Sequence, residues 1–418
     1  MAVYIINGGN RLEGELRVEG SKNAVLPILA ASIINGKNSV IHNVPYLKDV
    51  NTLINVLESI GCKCSFEGDT VIVNSTGDLD INIPEKPVRE MRSSIILMGA
   101  MLGRFKKVKI SFPGGCEIGL RPINLHLSGL RLLGAKIVES NGYILCECDK
   151  LYGNDIYLDY PSVGATENIM LAAVMAEGVT TIKNAAREPE IVDLQNFLNK
   201  MGAKIVGAGT DTIRIQGVKG FHDVEHTVIP DRIVAGTYAV AAAITGGRVI
   251  IRDIIPEHIK PVISKLRESG CTIYRYDKDI SIIGKRRPNA VNIIKTMPYP
   301  GFPTDMQAQM MALMCISRGT TMFIETIFES RFKHAEELIK MGANIRIEGR
   351  SAIVKGVNKL KGAHVFSRDL RGGAALVLAG LAAEGTTIVD NVDLHIERGY
   401  ENLDLKLKDL GADITKEK

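Results

Sequence analysis

The sequence predicts an α/β protein built from six copies of one helix-and-strand unit, and two recurring signals carry that reading. A helix-like stretch ends in Gly followed by Ala or Cys at Gly61-Cys62, Gly134-Ala135, Gly202-Ala203, Gly270-Cys271, Gly342-Ala343 and Gly411-Ala412. Successive glycines lie 73, 68, 68, 72 and 69 residues apart, so the unit is nearly constant in length. Between them an apolar helix gives way to a Thr-, Val- and Ile-rich strand, in GKNSVIHN, GRFKKVKI, GVTTIKNA, GGRVIIRD, GTTMFIET and GTTIVDNV.

The first element of each unit is an apolar helix rich in Ala and Gly, such as residues 235–245 or 372–383, too short to span a bilayer and suited to burial. The strand of the second signal follows. A second helix is then closed by a left-handed glycine, and a β-type segment such as AKIVES, AKIVGA or ANIRIE opens a strand pair. Each unit therefore reads helix, strand, helix, strand, strand. The sixth copy stops at GADITKEK without its strand pair, and AVYIINGGNRLEGELRVEGS at the start of the chain resembles SAIVKGVNKLKGAHVFSRD of the fifth. The N-terminal strands are expected to complete the last unit and bring the chain ends together. The second copy is the longest, with 31 residues from Gly103 to Gly134 against 23 to 26 elsewhere. Its extra residues fall in FPGGCEIGLRP, whose prolines and glycines predict a loop, read as a mobile lid carrying Cys116 and Arg121.

At 418 residues, 45% hydrophobic and 23% charged, the chain has room for two or three packed domains. No secretory signal or membrane segment is read, so a cytoplasmic protein is expected. The 51 basic and 47 acidic residues form no basic block, which argues against a nucleic-acid partner. Cys62-x-Cys64 and Cys146-x-Cys148 lack the spacer of structural zinc, so no metal is expected.

Aligning the units gathers the polar residues at helix entries. The first helix is entered through Ser21-Lys22-Asn23, Arg89-Glu90-Met91-Arg92, Ser162-Val163-Gly164, Asp231-Arg232, Thr304-Asp305 and Asp369-Leu370-Arg371. Unpaired N–H groups and the positive end of the helix dipole suit these positions to anions. Capping accounts for Ser162 and Thr304. It does not account for Lys22, Arg92, Arg232 and Arg371, whose charge opposes the dipole, and buried ion pairs are the other reading for the arginines. Asp305, within PTDMQAQ, reads either as a cap or as a general base. The second helix is entered through a parallel set, Cys116 to Arg121, Glu329 to Arg331 and His395 to Arg398. A thiol flanked by glycine in an inserted loop, five residues before Arg121, points to chemistry, with packing as the alternative.

These residues carry a resemblance to the enolpyruvyl transferases along essentially the whole chain, and to the branch that acts on a nucleotide sugar. The motifs are Ser21-Lys22-Asn23-Ala24, GGCEIGLRP, SVGAT, PDR, FPTDMQAQ, FESRF, DLR and HIERGYE. The resemblance implies two domains of inside-out α/β barrel type, three units each, covering 22–229 and 1–21 plus 230–418, with the substrates in the cleft between them. It implies transfer of the carboxyvinyl group of phosphoenolpyruvate to the 3-hydroxyl of UDP-N-acetylglucosamine, with no cofactor, in a monomer or weak oligomer open to fosfomycin. Lys22, Asn23, Arg121, Arg371 and Arg398 would hold phosphoenolpyruvate. Cys116 would deliver a proton and Asp305 accept one, supported by Asp369 and Arg331. The nucleotide sugar would meet Asn23, Arg92, Arg121, Pro122, Ile123, Asn124, Leu125, Ser162, Val163, Gly164, Asp305 and Ile327. Asn124 and Tyr160 depart from the charged residues some members carry there.

Two other functions compete. A 5-enolpyruvylshikimate-3-phosphate synthase shares the repeats and the donor but does not use the cysteine loop. A regulatory paralogue that only binds nucleotide sugar would need neither an acid nor a base.

Overall fold

The structure, a computed structural model, describes residues 2–114, 118–119 and 122–417. The described chain divides into two compact units. Residues 2–19, 118–119 and 230–417 form a terminal unit, and residues 20–114 and 122–229 an insert unit. Each contains three sheets and its own apolar core.

All six helix-ending glycines have positive φ, from 89° at Gly342 to 115° at Gly202, as a left-handed helix terminus requires. The second signal holds less uniformly. In the second copy Gly103 lies inside the helix Leu97–Phe105, and Lys106 takes the left-handed position at φ 61°. Gly103 has another task, because a Cβ there would stand 3.0 Å from the Leu171 carbonyl of the neighbouring helix.

The unit contains one strand more than the sequence reading gives it. Short strands Asp155–Tyr157, Val224–Thr227, Ile293–Lys295, His364–Phe366 and Glu13–Arg17 precede the apolar helices and pair in parallel with the strand that follows such a helix. In the second copy an isolated bridge from Asn82 to Lys109 takes this place. Runs of three to five residues are too short to show a period of two. The remaining strands pair antiparallel, as Ser351–Lys355 does with Thr320–Ile324 on one side and Asn344–Glu348 on the other.

The chain ends do meet, with Val3 opposite Glu417. The expectation for the sixth copy needs two corrections. GADITKEK supplies a strand, Asp413–Glu417, so only one strand was missing, and Val3–Asn7 fills it. Glu13–Arg17 pairs instead with Arg248–Arg252 of the fourth copy. Val224–Thr227 likewise pairs with Asn38–His42, so each crossover strand stays in the unit it came from.

The apolar helices lie inside and the sheets outside, which is the inside-out arrangement. Gln307–Cys315 is buried at all nine positions, and Leu370–Ala382 is buried from Arg371 to Leu381. A helix without a polar face can be stable only with apolar neighbours all round. In the terminal unit Arg232–Thr245, Gln307–Cys315 and Leu370–Ala382 supply one another. Strands alternate buried and exposed residues, as in Thr212–Gln216, so each sheet turns one face inward. Among the described residues no sheet closes on itself.

Candidate active site

In the terminal unit the central helices begin with acids that do different work. Asp231 caps its helix, Oδ1 accepting from the N–H groups of Ile233 and Val234 at 2.8 and 3.0 Å. Asp369 does the same for Arg371 and Gly372 at 3.1 and 3.0 Å. Asp305 is no cap. It lies in a 3-10 turn, Thr304–Met306, that leads into Gln307–Cys315. Its Oδ1 accepts from Arg331 Nη2 at 2.8 Å, and its Oδ2 lies 3.7 Å from Arg371 Nη2. Thr304 is no cap either: its turn is entered at Pro303 without a side-chain capping bond, and the Thr304 hydroxyl donates to Glu325 at 3.0 Å.

The two arginines are buried ion partners, one of the readings open for Arg371 from sequence. Arg331 also lies 4.0 Å from Asp369, so each of the two guanidiniums has a carboxylate within reach. The side chains of Arg331 and Arg371 are 3% exposed and that of Asp305 is 29% exposed, so the acid is the member a substrate can reach. Burial opposes the Arg371 charge, but Tyr400, Asp305 and Asp231 pull the other way and leave its pKa above the ordinary arginine value. The Arg371 guanidinium stands over the Tyr400 ring, 5.2 Å from its centroid. Gln309 steadies the turn from below, donating to the Asp305 carbonyl at 2.8 Å and to the Tyr400 hydroxyl at 3.2 Å. Arg398, half-buried in the turn Ile396–Arg398, lies two residues before Tyr400.

In the insert unit Lys22 opens the helix Lys22–Ala31, and its Nζ meets Asp49 Oδ2 at 3.2 Å. Asp49 is in the first turn of Lys48–Ser59. Arg92 begins a 3-10 turn, Arg92–Ile96, and donates to the Gly114 carbonyl at 3.3 Å. Ser162 does cap its helix, accepting from Ala165 N–H at 3.4 Å. Gly164 allows close approach, since a Cβ there would stand 2.9 Å from His126 Cε1. The His126 ring is fixed by Asn168 at 2.8 Å. Gly164 is thereby set against His126, the residue after Leu125, in two segments that the resemblance assigns to one ligand.

A family described as EPSP synthase (3-phosphoshikimate 1-carboxyvinyltransferase) matches residues 6–407. The chain belongs to this enolpyruvyl transferase family. It is 57% identical to UDP-N-acetylglucosamine 1-carboxyvinyltransferase 2 of Caldanaerobacter subterraneus subsp. tengcongensis, covering 100% of both chains. It is 54% identical to UDP-N-acetylglucosamine 1-carboxyvinyltransferase 1 of Symbiobacterium thermophilum, over 99% of this chain and 95% of that one. The fold matches the crystal structure of the enolpyruvyl transferase NikO from Streptomyces tendae with a TM-score of 0.90 at 24% identity, over 99% of this chain and 98% of that one. EPSP synthase from Acinetobacter baumannii gives 0.77 at 18% identity, covering both chains fully.

For an enolpyruvyl transferase the structure groups Asp305, Arg331, Asp369 and Arg371 directly. Cys116 and Arg121 lie outside the described residues. Asn23 and Ile327 are half-buried, whereas Pro122 and Asn124 are exposed at the start of Asn124–Leu132. Sequence reasoning missed Asp49, His126, Glu325, His334 and Tyr400. Tyr400 stands inside HIERGYE and Asp49 in the first turn of a second helix, so the alignment of helix entries could have found both. Glu325 and His334 carry no such signal. Among the described residues no group of three His, Cys, Asp or Glu side chains could hold a metal, and no helix is long and apolar enough to cross a membrane.

Proposed function

We propose that the chain transfers the carboxyvinyl group of phosphoenolpyruvate to the 3-hydroxyl of UDP-N-acetylglucosamine, releasing phosphate, in the synthesis of peptidoglycan precursors in the cytoplasm. The observation that carries this reading is identity of 50 to 57% with relatives named for that reaction, over essentially the full length of both chains. The EPSP synthase reading is supported only by the shared family and fold. Asp305 takes the proton of the sugar hydroxyl as its oxygen bonds to the enol carbon, and Cys116 gives a proton to the methylene carbon. Loss of a proton from that carbon then expels phosphate and restores the double bond. Lys22, Arg121 and Arg398 hold the donor's phosphate and carboxylate, which need fixed cations. Addition followed by elimination requires no cofactor. We further propose that the protein acts as a monomer or weak oligomer.

The test combines turnover with labelling. Purified protein should release phosphate from phosphoenolpyruvate when given UDP-N-acetylglucosamine and not when given shikimate 3-phosphate. Fosfomycin, a phosphonate epoxide, should add once, at Cys116. Burial pushes the thiol of Cys62 up to about 11 and those of Cys64, Cys146 and Cys315 up to about 12, so little thiolate is present there at neutral pH. A Cys116→Asp variant should resist the epoxide. Labelling at Cys62 or Cys315, or release only with shikimate 3-phosphate, defeats the reading.

A further inference from the structure

Glu325 follows the strand Thr320–Ile324 and is 1% exposed. Its hydrogen-bond partners among the described residues are all neutral. Oε1 accepts from the Thr296 hydroxyl at 2.9 Å and from the N–H groups of Ile327 and Phe328 at 2.8 and 3.2 Å. Oε2 accepts from the Thr304 hydroxyl at 3.0 Å. A carboxylate offers about four lone-pair sites, and four donors from three chain segments meet this one. Burying such a charge without a cation is unfavourable unless the donors are fixed, so the arrangement is a specific one.

Each segment leads to something the proposed reaction uses. Thr304 precedes Asp305, and its carbonyl accepts from Arg331 Nη2 at 3.3 Å. Ile327 is a residue assigned to the nucleotide sugar, and the Phe328 ring has the Arg331 guanidinium 5.7 Å from its centroid. Thr296 is locked to the same loop, its hydroxyl accepting from Thr326 N–H at 2.9 Å while its carbonyl accepts from the Thr326 hydroxyl at 2.6 Å. A single buried side chain thus spans the turn that carries the base and the loop 326–328.

We propose that Glu325 is a positioning residue for carboxyvinyl transfer, fixing the acceptor-binding loop 326–328 against the turn that carries Asp305, an inference that rests on the function proposed above. Glu325 acts through its neighbours and touches neither substrate. A Glu325→Gln side chain has the same size but no longer accepts at both ends: its amide nitrogen either faces the N–H groups of Ile327 and Phe328 or makes the Thr304 hydroxyl turn from donor to acceptor, and the negative charge is lost in both cases.

The experiment measures both Michaelis constants, kcat and amide hydrogen exchange for the wild type and three variants. Glu325→Gln should raise KM for UDP-N-acetylglucosamine and lower kcat at least tenfold each, leave KM for phosphoenolpyruvate within twofold, and speed exchange at Ile327 and Phe328. Thr304→Ala keeps the other three bonds, so it should lower kcat at least fivefold with KM for the nucleotide sugar within twofold, and Thr304→Ser should restore kcat. Wild-type constants in Glu325→Gln, or equal changes in both Michaelis constants, overturn the proposal. If Glu325→Gln does not fold, an unaltered kcat in Thr304→Ala overturns it. A wild type inactive on this substrate pair sinks the functional reading instead. Exchange needs no substrate, so unchanged protection in Glu325→Gln would then overturn the positioning role independently.

Discussion

The two units hold their reactive groups in opposite ways. In the terminal unit two buried cations hold a carboxylate, with the side chains of Arg331 and Arg371 3% exposed and that of Asp305 29%. In the insert unit a buried carboxylate holds a cation, with Asp49 7% exposed and Lys22 12%. Asp305 and Lys22 are each more exposed than the ion partners that hold them, whereas Arg371, which the resemblance also assigns to phosphoenolpyruvate, is as buried as Arg331. A fixed counter-charge orients a side chain without competing for the substrate's approach.

The largest effect should come from the exposed acid. Asp305→Asn preserves shape and hydrogen bonding to Arg331 but removes the proposed base, so kcat should fall by roughly a hundredfold to ten-thousandfold, the usual worth of a general base. Binding of UDP-N-acetylglucosamine, followed by calorimetry, should change only a few-fold. Equal losses of binding and turnover would make Asp305 a structural ion partner.

Removing a buried partner should instead appear as lost stability. Arg371→Leu strands Asp305 and Asp231 without one of their cations, and breaking a buried pair from one side costs about 3 kcal/mol or more. Urea unfolding should show that loss at pH 7. A variant as stable as the wild type would mean that the terminal unit tolerates unbalanced charge.

The insert unit should respond more weakly. Asp49→Asn keeps a hydrogen bond to Lys22 but loses the charge, and hydrogen bonds to charged groups are worth about 1.5–3 kcal/mol. We expect kcat/KM for phosphoenolpyruvate to fall about tenfold, with nucleotide-sugar binding unchanged. A rise would show that Asp49 competes with the donor's phosphate for Lys22, and the comparison between the units would then fail.

How much of this was legible in the sequence depended on whether a feature repeats. The six helix-ending glycines recur at near-constant spacing, and each has the positive φ expected. The helix entries recur too, which is why Asp305, Asp369 and Arg371 could be read together before any contact was known. The parallel edge strands were not legible, because three residues such as Ile293–Lys295 carry no period. The division of labour among the entries was also hidden. Thr304 and Ser162 look alike as caps, yet one donates to Glu325 and the other accepts from Ala165. Only the fold tells them apart, because the deciding partner of Thr304 lies 21 residues away.

The smallest effect sharpens the comparison from within the terminal unit. His334 is 2% exposed on the helix Lys333–Lys340, beside Arg331 and Asp369. Burial disfavours its charged form, Asp369 opposes that, and Arg331 adds to it, so its pKa is lowered to about 4. In the unfolded chain the imidazole takes up its proton near the ordinary value of about 6.5. Between those values the unfolded chain binds more protons than the folded one, so stability is full above about 6.5 and is lost as pH falls towards 4. The shift corresponds to about 3 kcal/mol at most. His334→Asn removes the titration while the carboxylates remain. The drop in unfolding free energy from pH 7.5 to pH 4.5 should therefore be smaller in the variant than in the wild type. Equal drops would mean that His334 takes up its proton at the same pH in the folded and unfolded chain, with Asp369 offsetting the burial. The imidazole would then join Arg331 and Arg371 as a cation only below about pH 6.5, and a proton rather than a fixed charge would set part of the field around Asp369.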